Sequence, residues 1–88
     1  MKIKLTKGAV QDLHSIENYI SQDKPTAAKS VINESIENIA SFPSLGRVGR
    51  VPHTKELVVS STPLIIVYQI RHGTLFIVRI IHAARKWP

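Results

Sequence analysis

The feature that most constrains this chain is a change of hydrophobic period partway along it. From residue 7 to about residue 41, apolar side chains recur every three or four positions, the spacing of one helical face. From Lys55 onward they come in β-branched runs typical of strands. Between the two lies the stretch from Phe42 to Pro52, which has two prolines, two glycines and no period and therefore reads as loop. A chain divided this way can bury both halves only by laying its helices across a sheet.

Within the helical part, Thr6 is placed to cap a helix over about 7–21, with Val10, Leu13, Ile16, Tyr19 and Ile20 on one face. Ser21 to Lys24 breaks it. Pro25 suits the first turn of a second helix, because the N–H it lacks would be unpaired there anyway. The apolar stripe of that helix is Ala28, Val31, Ile32, Ser35, Ile36 and Ile39, and Glu34, Glu37 and Asn38 face outward.

The second half reads as an antiparallel meander: a strand over 55–60, then Leu64 to Ile70 and Thr74 to Ile81 joined across Arg71-His72-Gly73. With Ile3 to Leu5 as a short first strand, the fold class is α+β in the order β-α-α-β-β-β. A two-helix antiparallel hairpin packs on one face of a small, mainly antiparallel twisted sheet, as a single domain over 1–88. If Arg71 faces Thr74 across the turn, one sheet face carries Leu64, Ile66, Tyr68, Ile70, Leu75, Ile77, Arg79 and Ile81. The other carries Ile65, Val67, Gln69, Arg71, Thr74, Phe76, Val78, Ile80 and His82. Both are largely apolar. Helices cover only one in so small a chain, which leaves the other to the loop, the C-terminal segment or a partner.

Composition narrows the chemistry. With no cysteine, a disulfide scaffold and a thiolate metal site are excluded, and the four histidines lack metal-ligand spacing, so neither metal nor cofactor is expected. No apolar run approaches the ~20 residues of a membrane span, and Met1 to Leu5 does not resemble a signal peptide, so the expected location is the cytoplasm, away from membranes. Net charge is +6. Residues 1–44 balance five cations against five acids, whereas residues 45–88 hold seven cations and Glu56 alone. That asymmetry suits an anionic partner.

Two clusters stand out. Arg47 and Arg50 with Lys55 and Glu56 place guanidinium groups on a loop, able to grip phosphate or carboxylate or simply to meet solvent. The tail contributes Arg79, His82, Arg85, Lys86 and Trp87. Arg79, in mid-strand among apolar residues, requires a partner, and Glu56 is the nearest acid in the sheet region, which gives both a structural role. His82 is the one tail group able to exchange a proton near neutral pH, and it is more often a strand-end hydrogen-bonding residue than a base; with Arg85 it forms the weak catalytic candidate. Trp87 either stacks on a base beside Arg85 and Lys86 or covers the open sheet face. Arg71, at the hairpin, completes the cationic set for binding a target or partner.

Taken in order, Ala9-x-x-Asp12-Leu13-x-x-Ile16-x-x-Tyr19-Ile20, Pro25-x-Ala27-Ala28, Phe42-Pro43-x-x-Gly46-Arg47, Thr54 to Val59, Ile66 to Ile70, and Val78-Arg79-Ile80-Ile81-His82-x-x-Arg85-x-Trp87-Pro88 resemble the RelE/ParE superfamily of bacterial type II toxin–antitoxin toxins over nearly the whole length. The resemblance implies a growth-inhibiting toxin of a plasmid-stabilisation type of system. It also implies neutralisation by a cognate antitoxin whose acidic segment folds on binding, giving a toxin–antitoxin hetero-oligomer.

RelE-like members cut mRNA on the ribosome and ParE-like members block DNA gyrase. The ribonuclease branch carries a central-strand arginine where this chain has Ile65, and tail cations and a tyrosine where it has Ala83, Ala84 and Trp87. Cleavage needs a base and cations around the scissile phosphate, so these departures favour the gyrase inhibitor, which is not an enzyme, over the mRNA endoribonuclease. A small nucleic-acid-binding regulator is the third reading. It would need stacking platforms on one sheet face, whereas Tyr68 and Phe76 alternate onto different faces.

Overall fold

The computed structural model describes residues 1–20, 25–83 and 87; for 17–20 and 25–28 it describes the helical backbone but not the side chains. The elements are β1 (Lys2–Leu5), α1 (Lys7–Ile20), α2 (Pro25–Ser41), a 3-10 turn at Pro43–Leu45, β2 (Arg47–Val48), β3 (Lys55–Val58), β4 (Leu64–Arg71) and β5 (Thr74–His82). They build the expected α+β fold, with five strands in the order β1-β5-β4-β3-β2. β1 runs parallel to β5, and every other pairing is antiparallel. The stretch expected to be pure loop contributes β2, the edge strand.

Thr6 caps α1: its Oγ1 accepts from the Ala9 N–H (3.1 Å), and its hydroxyl donates to the Val78 carbonyl (2.7 Å). One hydroxyl thus ties the start of α1 to the last strand. The buried face of α1 is rotated from the expected stripe. Ala9 and Asp12 are buried and Leu13 and Ile16 half-buried, while Val10 is 39% exposed. In α2 the stripe is as expected at Ile32, Ser35, Ile36 and Ile39, all buried. The three isoleucines meet Leu64, Ile66, Tyr68, Leu75, Ile77 and Ile80 in the main core.

The hairpin turn is His72-Gly73, with both residues at positive φ (51° and 73°). That is the geometry matching strand twist in a two-residue connection, and it starts the ladder at Arg71–Thr74. The regular ladder then fails. After Tyr68–Ile77 the register slips by one residue, and Val67 faces Arg79, leaving Val78 as the extra residue of a bulge. A one-residue slip exchanges faces. Ile80 therefore joins the helix-side core, whereas Ile81 turns to the opposite face with Ile65 and Val67, the reverse of the expected assignment.

On that opposite face Ile65, Val67 and Ile81 are buried, with Val78 and Trp87 packed against them. Of the three coverings left open by the sequence, the C-terminal segment is the one observed, through Trp87. The cover is partial, because Val58, which shares a register pair with Ile65, is 54% exposed.

Candidate functional site

The register assigns the cations to faces. Strand partners share a side, so Lys2 (opposite Thr74), Lys4 (opposite Phe76), Arg71 and Arg47 (opposite Glu56) all belong to the helix-free face. The basic face of the sheet therefore draws on both halves of the chain, while Lys55, opposite Tyr68, lies on the helix side. Lys2 and Lys4, counted in the balanced first half, lie on the basic side. Glu34 and Glu37 are exposed on α2, across the sheet.

The one acid of the second half is neutralised in place. The Glu56 side chain is 1% exposed, and its Oε2 accepts from the Arg50 N–H (2.9 Å) and Arg50 Nε (3.2 Å). Its Oε1 accepts from Arg50 Nη2 (3.0 Å), with Arg47 Nη2 at 3.6 Å. The Arg50 hydrogen bonds hold the carboxyl below its usual pKa. Arg47 remains 66% exposed at the side chain and Arg50 47%, so two guanidinium groups stand over one buried carboxylate and keep outward-facing donors.

The loop carrying these arginines is fastened from below. The Gly46 N–H donates to the Tyr68 hydroxyl (2.8 Å), which donates in turn to the Pro43 carbonyl (2.7 Å). A Cβ at position 46 would lie 2.7 Å from that hydroxyl and 2.9 Å from the Glu56 carbonyl, so only glycine fits. Burial pushes the Tyr68 hydroxyl above its ordinary pKa, which keeps it a donor. Thr54 closes the other end, its hydroxyl donating to the Val51 carbonyl (2.7 Å) while the Gly49 N–H donates to the Thr54 carbonyl (2.8 Å).

The expected Arg79–Glu56 pair is not formed. Arg79 donates from Nε (2.6 Å) and Nη2 (2.9 Å) to the two carboxylate oxygens of Asp12, a bidentate fork. The Ile80 N–H also donates to Asp12 Oδ2 (2.9 Å). β1 pairs β5 only as far as Ile77, so Asp12 satisfies a strand-edge donor that β1 leaves open. The sequence signal missed was Asp12 itself, a carboxylate in the middle of the buried stripe of α1, which requires a cation nearby. On its other side the Arg79 guanidinium lies 5.4 Å from the centroid of Trp87, a cation–π contact.

The remaining candidates are scattered. Lys55 is half-buried on β3, Arg71 is exposed at the hairpin, and His82 is exposed at the end of β5. Arg85 and Lys86 lie outside the described residues, as does the turn at 21–24. The structure brings Arg47, Arg50 and Glu56 together but does not join them to His82. Among the described residues, no group of three or more acids and histidines could hold a metal ion, and no helix is long and apolar enough to cross a membrane.

Comparison with known proteins gives a consistent assignment. The family model for the ParE toxin of type II toxin–antitoxin systems (parDE) matches residues 3–87. The Y4kP protein of Sinorhizobium fredii is 37% identical over 90 residues, covering 99% of this chain and 93% of its own length. Toxin RelE2 of Caulobacter vibrioides is 38% identical over 80 residues, covering 88% and 89%. Among solved structures, the chromosomal ParDE system of P. aeruginosa superposes with a TM-score of 0.72 at 23% identity, covering 93% of this chain and 95% of that one. The intact E. coli RelBE complex follows at 0.71 and 11% identity, covering 96% and 98%. At those identities the two superpositions establish the fold.

Proposed function

This chain belongs to the ParE family of type II toxin–antitoxin toxins, and from that premise we propose that it inhibits DNA gyrase in the cytoplasm without cutting nucleic acid and is held silent by a cognate antitoxin. The observation that carries the choice of target is Ile65. It stands where the resemblance puts the strand arginine of the ribonuclease branch, and it is buried, with Trp87 packed over its cluster. A phosphate in flight needs preorganised cations at that place, and an isoleucine under an indole supplies none.

The neighbouring charged groups support the same reading. Asp12 and Arg79 hold each other, as do Glu56 and Arg50. A carboxylate gripped by a guanidinium is a poor general base, because abstracting a proton would dissolve its own ion pair. The exposed cations Arg47, Lys4 and Arg71 spread over a sheet face rather than converging, as suits a broad anionic partner such as an acidic antitoxin segment. The solved relatives with the same fold include toxin–antitoxin complexes.

Two assays on the purified chain decide the target. Inhibition of gyrase-dependent supercoiling together with intact ribosome-bound mRNA is the expected pair of results. Site-specific mRNA cuts would reverse the choice in favour of the RelE-like activity, to which the similarity to toxin RelE2 also points.

A further inference from the structure

Phe76 is an aromatic side chain that the core does not use. Its strand neighbours Leu75 and Ile77 are fully buried in the helix-side core, which puts Phe76 on the helix-free face, half-buried and packed into neither apolar cluster among the described residues. The register fixes what surrounds it. Lys4 on β1 and Gln69 on β4 are its direct partners, one on each side, about 4.8 Å away strand to strand. Lys2 and Arg71, both opposite Thr74, lie on its diagonals, about 7–8 Å away. One ring is thus encircled by three exposed cations and one half-buried amide.

The charge around the ring is of one sign. Glu56 is the single acid on the five strands, and it is buried and held by Arg50, while the exposed acids Glu34 and Glu37 stand on α2, across the sheet. The other aromatic residues of the second half are committed elsewhere, Tyr68 to the helix-side core and Trp87 to the cluster around Ile65. Ile65 is four residues along β4 from Gln69, about 13 Å at the rise of a strand. The ring therefore sits away from the place where cleavage would require cations.

We propose that Phe76 is a stacking platform for one base of a single-stranded nucleic acid, with Lys2, Lys4 and Arg71 on the flanking phosphates and the Gln69 amide at the edge of the base. A ring accepts the face of any base, the cations neutralise the backbone on either side of it, and an amide offers a base edge both a donor and an acceptor. An acidic peptide would use the cations and leave the ring and the amide idle. A duplex has its base faces already stacked on one another. A second copy of this chain would set cation against cation across a two-fold axis. DNA and RNA strands share the recognised chemistry. The strand is held and not cut, in keeping with the burial of Ile65. The platform and the choice of gyrase as target are independent, so loss of either leaves the other standing.

The test titrates the full chain into fluorescein-labelled eight-nucleotide oligothymidine and oligouridine and follows anisotropy, with a DNA duplex of the same length and a polyglutamate peptide in parallel. Binding of the single strands is expected, with log K falling against log salt at a slope of about −2, as three phosphate contacts give. Lys4→Gln and Arg71→Gln should each flatten that slope by about 0.7, whereas Lys29→Gln, exposed on α2, should leave it unchanged. Phe76→Leu should weaken binding about tenfold at an unchanged slope, and Phe76→Tyr, which keeps a ring, should bind like wild type. Equal binding by Phe76→Leu, or equal loss in a Phe76→Tyr chain whose circular dichroism is that of wild type, overturns the platform. Duplex or polyglutamate bound as tightly as the single strands, and unaffected by Phe76→Leu, overturns it too and hands the face to duplex phosphates or to acidic peptides. Tighter binding of one single strand than the other, with the Phe76→Leu loss retained, supports the platform and names DNA or RNA as the source of its ligand.

Discussion

Arg79 and Asp12 stand 67 positions apart in the chain and 2.6 Å apart at Nε and Oδ2. Their side chains differ in exposure, Arg79 at 35% and Asp12 at 10%, so the two halves of the pair respond differently to removal. Arg79→Ala leaves a mostly buried carboxylate with one backbone donor. Asp12→Ala leaves a cation that water reaches, plus an orphaned Ile80 N–H. Each change is expected to destabilise the fold by about 2–4 kcal/mol, near the lower end for breaking a buried pair because Arg79 is partly hydrated. In urea unfolding the double variant should lose clearly less than the two single losses together. Additive losses would mean that the two side chains act independently. An Arg79→Ala protein that unfolds like wild type but no longer arrests growth would make Arg79 a target contact.

Tyr68→Phe removes the hydroxyl that receives the Gly46 N–H and reaches the Pro43 carbonyl. Because Gly46 is buried, the expected loss is about 1–3 kcal/mol, with hydrogen exchange at Gly46 speeding up while the α2 core amides stay protected. Gly46→Ala should destabilise through the clash at the same hydroxyl. An alanine variant as stable as wild type would mean that the loop moves aside freely.

Glu56 has a lowered carboxyl pKa in the fold, so its contribution is present above the unfolded value of about 4.3 and fades as pH falls through the lower native value. Glu56→Gln should therefore lower stability near neutral pH by about 1–3 kcal/mol. The gap from wild type should narrow steadily below pH 4 in urea titrations at fixed pH. A gap that is constant with pH would place the effect outside the ionised carboxylate.

Antitoxin association should slow with rising salt, and charge reversal should map to a sheet face. Arg47→Glu, Arg71→Glu and Lys4→Glu are expected to slow association several-fold in stopped-flow measurements. Lys29→Glu, exposed on α2 across the sheet, should change it little. Equal slowing by Lys29→Glu would show that net charge alone matters.

Much of this fold is legible in the residues where local chemistry is decisive. Thr6 before an apolar stripe is a cap, Pro25 opens a helix, and His72-Gly73 tolerates the two positive φ values that a tight hairpin requires. The bulge at Val78 is not legible in the same way. From Ile77 to Ile81 every residue but Arg79 is apolar, so period-two alternation has no contrast with which to mark a slipped register. Arg79 held the clue, since regular alternation would have pushed it into the helix-side core. The site suffered in the same way. Pairing Arg79 with Glu56 follows proximity within the sheet, whereas the actual partner arrives on a helix that the one-dimensional pattern places far away. Dividing the charge at residue 44 likewise missed Lys2 and Lys4, because the parallel pairing of β1 with β5 joins the two ends of the sequence.

That parallel pairing also sets a timetable for synthesis. β1, the cap at Thr6 and the inner face of α1 find their partners on β5, so 67 residues separate Asp12 from Arg79 and 72 separate Thr6 from Val78, and a ribosome has to complete that stretch before either can be satisfied. Until then the first helix has only α2 to pack against, and the chain can settle into its final form only once the last strand has emerged. A molecule assembled in this order has no finished surface for nearly the whole of its own translation.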